Sequence, residues 1–215
     1  MKAYISITIL CICLLTNCAS QKKNSTISRC AVSVTIEGKS IELNAPVYIP
    51  TLEENITITK LRFYIGLTQD KLVRKNTEWS YFLIDLENPS SLVIEHLNTS
   101  KFCLGIDSIT NSSGAHGGDL DPTNDMYWSW QSGYINTKLE GLIGEKEFTL
   151  HLGGYAGETN SWQVVSSNST AVSTLFLDLA PLVKNLSADE STLIMSPSKR
   201  AVNFSKLLAD GITLK

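Results

Sequence analysis

Apolar and polar residues alternate with a period of two in several short stretches of this chain. The pattern is clearest at residues 32–36 and 56–59, where it predicts half-buried β-strands. Segments rich in Val, Ile, Thr, Tyr and Phe, separated by Gly, Pro, Asn and Ser, predict further strands at 60–67, 80–85, 91–95, 102–106, 134–139, 146–152, 162–165 and 172–178. Many short strands at this spacing predict an all-β fold, and we expect an antiparallel β-sandwich.

Helical and loop patterns are confined to a few segments. Residues 180–186 and 197–208 suit helices, and in the second Ser196 would be the cap and Pro197 the first helical residue. Residues 111–125, rich in Gly, Asp and Ser, form a long connection between two strands. Ordered loops of this length in compact domains are usually functional. The predicted fold therefore has one long Gly/Asp-rich loop and a short C-terminal helix.

The amino terminus indicates export. Lys2 is followed by an apolar run at 3–15 that is too short to span a bilayer, as in a secretory signal peptide. The sequence Leu15-Thr16-Asn17-Cys18 resembles the lipobox of bacterial lipoproteins, so Cys18 is the expected lipidation site. Ordinary cleavage and secretion is the alternative.

These features divide the chain into a signal peptide at 1–17, a lipidated flexible linker at 18–30 and one domain at 31–215. We expect an outer-membrane lipoprotein of the bacterial cell envelope, held to the membrane by its lipid and facing the periplasm or the cell surface. The net charge is −3 without a basic cluster, which argues against nucleic-acid binding. Cys30 and Cys103 either form a disulfide, which an oxidising compartment permits, or remain buried free thiols.

Few residues offer chemistry. The mature chain lacks a Gly-x-Ser-x-Gly elbow, a P-loop, His-Glu-x-x-His and Cys-x-x-Cys, so we expect no enzymatic activity. His151 lies near a strand end, before a glycine pair, where an imidazole could bind copper or zinc or could be a hydrogen-bonded core residue. His96 and His116 lie in polar surroundings typical of exposed loops.

Two further clusters allow several interpretations. Trp128 and Trp130 are two residues apart, so their indoles would face one side of an extended chain. They would then be a core anchor, a platform for a sugar or peptide, or a redox-sensitive pair beside a metal. Residues 119–125 place carboxylate and amide oxygens at alternating positions, as calcium loops do. Turns in which the Asp side chains cap backbone amides are the alternative.

An ordered series of motifs resembles a known family. The series comprises Leu61-Arg-Phe-Tyr-Ile65, Tyr81-Phe-Leu-Ile-Asp85, Leu104-Gly-Ile-Asp-Ser108, Gly118-Asp-Leu-Asp-Pro122, Met126-Tyr-Trp-Ser-Trp-Gln-Ser-Gly-Tyr-Ile135, Lys138-Leu-Glu-Gly141 and His151-Leu-Gly-Gly154. In this order the chain resembles the MbnP-like domain over most of its mature length.

The resemblance implies a β-sandwich domain of envelope proteins whose best-studied members bind copper. These proteins are encoded beside a di-haem enzyme related to bacterial cytochrome c peroxidases. That partner oxidises a tryptophan of the copper protein to kynurenine, which then helps to hold the metal. The position that matches a metal ligand is His151, with Met126, His116 or His96 as further donors, and Trp128 or Trp130 as the modified residue.

We therefore expect a non-catalytic, envelope-anchored protein that binds copper. The alternative follows from the first strand, where many relatives carry a histidine and this chain has none at residues 32–38. In that case the sandwich would be a surface binding module for a carbohydrate or a protein, using Trp128, Trp130 and Trp162.

Overall fold

The structure is a computed structural model that describes residues 29–68, 79–95, 101–166, 173–188 and 191–215. The predicted signal peptide, Cys18 and His96 lie outside the described residues. The strands are β1 (Arg29–Ile36), β2 (Lys39–Ser40), β3 (Pro46–Ile49), β4 (Glu54–Thr68), β5 (Trp79–Asp85), β6 (Val93–Glu95), β7 (Lys101–Leu104), β8 (Tyr127–Ser129), β9 (Gly133–Ile143), β10 (Lys146–Gly153), β11 (Gln163–Ser166), β12 (Thr174–Asp178), β13 (Leu193–Ile194) and β14 (Ile212–Leu214). The helices are α1 (Ser108–Ser112), α2 (Ala180–Ser187) and α3 (Lys199–Asp210).

The smaller of two sheets has the strand order β14-β12-β1-β2, and β6 also pairs with β1. β1 and β12 run parallel, whereas the other pairs of this sheet are antiparallel. Val32, Val34 and Ile36 are buried at alternate positions of β1, as a half-buried strand requires.

The larger sheet has the order β11-β7-β4-β9-β10-β13, with β3 and β5 also paired to β4 and β8 paired to β9. Strand β4 spans 15 residues and pairs with four strands: with β3 along 54–57, with β9 along 56–63, with β5 along 62–68 and with β7 along 65–67. An irregularity between Ile58 and Lys60 shifts the register with β9. The shift lets Ile58 and Leu61 both face the main core.

The main core lies between the two sheets and is closed by α2 and α3. Its fully buried members include Ile36, Phe63, Leu150, Leu177 and Leu208. Burial of each such side chain stabilises the fold by about 1.5–3 kcal/mol, before the loss of chain entropy is counted.

The opposite face of the larger sheet, called here the outer face, carries a second and smaller core. Residues 105–126, which we call the covering loop, lie over this face and contribute buried apolar side chains to it. The second core contains Tyr64, Ile106, Leu120, Met126, Tyr134 and Ile135. The larger sheet is therefore covered on both faces along β4 and β9.

The fold confirms the all-β prediction and corrects several details. The described strand β1 begins at Arg29, so the predicted linker at 18–30 extends two residues too far. The sheets are mixed, because β1 pairs with β12 and β10 pairs with β13 in parallel. The segments predicted at 56–59 and 60–67 form one strand, and the C-terminal helix is capped by Ser198, whose side chain accepts from Ala201 N–H at 3.1 Å, and not by Ser196.

Candidate metal-binding site

Two buried tyrosines hold the covering loop on the outer face. The hydroxyl of Tyr64 donates to the carbonyl of Asp119 at 3.0 Å. The hydroxyl of Tyr134 donates to the carbonyl of Leu120 at 2.8 Å and accepts from His116 N–H at 2.8 Å. Burial raises the pKa of both phenols, so they remain donors at neutral pH. Their rings meet edge to face with centroids 6.1 Å apart.

His151 also lies on this outer face. Its neighbours Leu150 and Leu152 face the main core, so His151 points to the other side of the sheet. The side chain is 8% exposed, and its Nε2 lies 2.8 Å from Oε1 of Glu140. An ionised carboxylate only accepts hydrogen bonds, so Nε2 carries the proton and Nδ1 of the neutral ring carries the lone pair. A histidine held in this way by a carboxylate is the usual arrangement of a metal-ligating imidazole.

Trp128 of β8 packs on Gly153, which follows His151 by two residues on β10. A Cβ added at Gly153 would stand 2.6 Å from Trp128 Cζ3 and 2.6 Å from the carbonyl oxygen of Tyr134. The indole therefore rests directly on the backbone of Gly153. Its Nε1 is buried and has no hydrogen-bond partner. A buried donor without a partner costs free energy, and the indole of Trp162 has an N–H of the same kind.

The other two tryptophans of the proposed binding platform lie in different surroundings. Trp130 is 79% exposed and follows the end of β8, so strand alternation does not place its indole with that of Trp128. Trp162 packs edge to face on Trp79, with centroids 5.8 Å apart. Of the three side chains only Trp130 is exposed, whereas Trp128 and Trp162 are half-buried.

Met126 and His116, the further donors predicted for a metal, have separate partners. Met126 is fully buried in the second core. His116 Nε2 lies 2.9 Å from Ser113 Oγ and 3.2 Å from the carbonyl of Thr110. Within the ranges that the structure describes, no three His, Cys, Asp or Glu side chains form a group that could hold a metal ion. Any metal held by His151 therefore needs donors of another kind.

The acidic residues of the covering loop each bind a different part of the protein. Asp119 Oδ2 accepts from Leu83 N–H at 2.9 Å, and Asp121 Oδ1 accepts from Thr123 N–H at 2.9 Å. Asp125 pairs with the buried ammonium of Lys138 at 2.6 Å. Of these three, only Asp121 caps a backbone amide of its own turn, as the alternative to a calcium loop expects.

The two cysteines are free thiols in different sheets. Cys30 lies on β1 of the smaller sheet and Cys103 on β7 of the larger sheet, and both are buried. Of the two alternatives left open by the sequence, the structure has unpaired thiols. No helix within the described residues is long and apolar enough to cross a membrane.

Glu140 and Gly153 occur in the motif series of the sequence, but neither was predicted as a site residue. Glu140 is on β9, one diagonal position from His151, and the two-residue turn at 144–145 fixes this register. The register set by that turn pairs His151 with Lys138. Glu140 is two residues from Lys138 on the same face of β9, so its closeness to His151 follows from the sequence once the hairpin is recognised.

Comparison with known proteins identifies the family. A family model described as MbnP matches residues 29–198. This chain belongs to the MbnP family. A solved structure, MbnP from Methylosinus trichosporium, is 14% identical to this MbnP-family chain, with 74% of this chain and 77% of that chain covered and a TM-score of 0.46. No curated protein matches the sequence.

Proposed function

We propose that this MbnP-family protein is a non-catalytic copper-binding protein of the bacterial envelope, anchored through Cys18. The observation that carries the proposal is the pair of His151 and Glu140 on the outer face, 2.8 Å apart. Since Nε2 donates to the carboxylate, Nδ1 is the nitrogen that would bind the metal.

The residues beside His151 suit copper more than a purely oxygen-liganded ion. Imidazole nitrogen binds copper well, whereas calcium requires six to eight oxygen ligands. Glu140 would orient the imidazole, and the Lys138 ammonium is drawn away by Asp125 at 2.6 Å. Bound copper would supply a redox-active or electron-poor centre, and the protein would supply its position and its partial shielding from solvent.

Trp128 is the better candidate for the tryptophan that a di-haem, peroxidase-like partner would oxidise. Its indole N–H is buried without a partner beside the backbone of Gly153, two residues from His151. Kynurenine at this position would offer an amine and a carbonyl as additional donors. Trp130, by contrast, is 79% exposed.

The test is the copper content of protein purified from its native envelope, because only native material would carry a modification made by a partner. We expect wild type and His116→Ala to retain copper, and His151→Ala to lose it. His116→Ala is the matched histidine control, since its Nε2 already binds Ser113 and Thr110. Glu140→Gln should weaken copper binding by about 10–100-fold, the usual effect of losing a carboxylate that orients a ligand.

Peptide mass spectrometry completes the experiment. Kynurenine in the peptide that contains Trp128, with Trp130 unmodified, would support the proposed assignment. Equal copper in wild type and His151→Ala would overturn the copper site. In that event Trp130, the exposed indole, would be the starting point for a carbohydrate or protein binding role.

A further inference from the structure

A buried thiol and a phenol ring meet on strands that do not carry His151. Cys103 on β7 and Tyr81 on β5 are both cross-strand partners of Gly66 on β4. Because Gly66 has no side chain, its two neighbours close over it. Cys103 Sγ and Tyr81 Cε1 both lie within 2.8 Å of the point where a Cβ of residue 66 would stand. The sulfur and the ring carbon beside the hydroxyl are therefore at most twice that distance apart.

The environment of Cys103 suppresses ordinary thiolate chemistry. The side chain is 0% exposed, and the thiol donates to the carbonyl of Gly105 at 3.5 Å. Burial raises the pKa of Cys103 to about 12, although the indole of Trp162 beside the sulfur opposes this effect. Disulfide exchange and metal binding both require the thiolate. Cys103 is thus kept as a neutral S–H.

The phenol of Tyr81 has a base in place. Its hydroxyl donates to Oδ2 of Asp107 and accepts from Asp107 N–H at 3.1 Å. Burial raises the pKa of Tyr81, and the hydrogen bond to the carboxylate raises it further, so the phenol stays protonated until it is oxidised. When an electron leaves the ring, the proton can pass to Asp107 within hydrogen-bond reach. The resulting phenoxyl radical carries unpaired spin on the ortho carbons, one of which is Cε1.

Asp107 is itself fixed for this role. Its Oδ1 accepts from the N–H groups of Ile109 and Thr110 at 2.7 and 3.0 Å, and its Oδ2 accepts from Thr110 Oγ1 at 2.7 Å. The carboxylate cannot rotate away from Tyr81 without breaking these bonds. Tyr81 is half-buried, whereas Cys103 is fully shielded from solvent.

We propose that Cys103 and Tyr81 form a thioether cross-link between Sγ and Cε1 when the protein meets a high-potential one-electron oxidant. The S–H and Cε1–H bonds break and one S–C bond forms. Two electrons pass to two equivalents of the oxidant, and two protons are released, the first through Asp107. The cross-link joins β5 to β7 across β4 and makes this face of the larger sheet resistant to unfolding.

The experiment treats the full mature protein, first reduced, with hexachloroiridate(IV), and then digests it for mass spectrometry. We expect a species that has lost two hydrogen atoms and contains the Tyr81 and Cys103 peptides joined. The link should survive a reducing agent, which separates it from a disulfide with Cys30. After unfolding, Cys103 should no longer react with iodoacetamide, whereas Cys30 should still react.

Two single-atom variants provide the controls. Tyr81→Phe removes the phenol and should abolish the cross-link. Tyr127→Phe removes another phenol that packs on the second core and should leave the yield unchanged. Oxygen addition at Cys103 in place of the link would overturn the proposal. So would a cross-link of equal yield in Tyr81→Phe, or an alkylatable Cys103 after oxidation of the folded wild-type protein.

Discussion

Gly66 allows two larger side chains to occupy the space above β4, and replacing it tests this packing directly. In Gly66→Ala the new Cβ would stand 2.8 Å from Tyr81 Cε1 and closer still to Cys103 Sγ. Both distances are below ordinary carbon contact, so neighbours must move. Overpacking of a tight core costs about 1–3 kcal/mol, whereas an alanine in a strand is favoured over glycine by roughly 0.5–1 kcal/mol. We expect a net destabilisation of about 1–2 kcal/mol.

The obstacles at Gly66 are side chains, so a second substitution should relieve most of the cost. Cys103→Ala removes the sulfur that the new methyl group would meet, and the double variant nearly conserves volume. Urea unfolding of the reduced protein, followed by tryptophan fluorescence, gives the free energies of all four members of the cycle. We expect the double variant to be more stable than the sum of the two single effects by about 0.5–3 kcal/mol.

Gly117→Ala is the matched control, because no atom lies within 4 Å of a Cβ added there. Its free energy of unfolding should change by less than about 0.5 kcal/mol, the usual range for surface substitutions. Unfolding of Gly66→Ala at the same urea concentration as wild type would refute the close packing of Tyr81 and Cys103 over Gly66. It would also be refuted if Cys103→Ala and Gly66→Ala were strictly additive, since their shared contact would then be energetically absent.

Two further variants test the covering loop and its anchor. Burial alone would raise the pKa of Asp107, but hydrogen bonds from Tyr81, Thr110 and the backbone outweigh it and hold the pKa below its ordinary value of 3.8. The ionised carboxylate therefore stabilises the fold fully above pH 3.8, and this stabilisation is lost as the pH falls through the lower folded-state pKa. Below pH 3.8, the free energy of unfolding of Asp107→Asn should fall less steeply with pH than that of wild type. Tyr134→Phe removes the hydroxyl that binds His116 N–H and the Leu120 carbonyl. The variant should lower the free energy of unfolding in urea by about 1–3 kcal/mol and speed hydrogen exchange of the His116 amide. Unchanged exchange at that amide would show that the hydroxyl does not hold the loop.

Much of the fold is local enough to be predicted. The content of β-branched and aromatic residues predicts β5 and β10, whereas alternation predicts β1 and the first part of β4. Alternation fails where a strand is buried on both faces or where the register shifts, as between Ile58 and Lys60 in β4. The cap of α3 is misplaced by two residues because Ser196 and Ser198 have equal capping chemistry, and only the accepted bond from Ala201 N–H separates them.

The candidate site was only partly predictable for a related reason. His151 is recognisable from its motif, and Glu140 follows from the register of a two-residue hairpin. The position of Trp128 does not follow from local sequence, because it depends on how β8 and the covering loop return across Gly153. Strand alternation also ends at Ser129, which is why Trp128 and Trp130 occupy different environments although they are two residues apart.

The polar composition of the covering loop conceals its structural role. A loop rich in Gly, Asp and Ser is expected to be solvated, yet its Ile106, Leu120 and Met126 are buried against the larger sheet. These apolar side chains, together with the hydrogen bonds from the hydroxyls of Tyr64 and Tyr134, hold the loop on the sheet. On β10, which neighbours β9, His151 is paired with Glu140, while Trp128 is half-buried. The copper site proposed above, with a tryptophan oxidised by a second enzyme, would need both an imidazole held in place and an indole that the enzyme can reach.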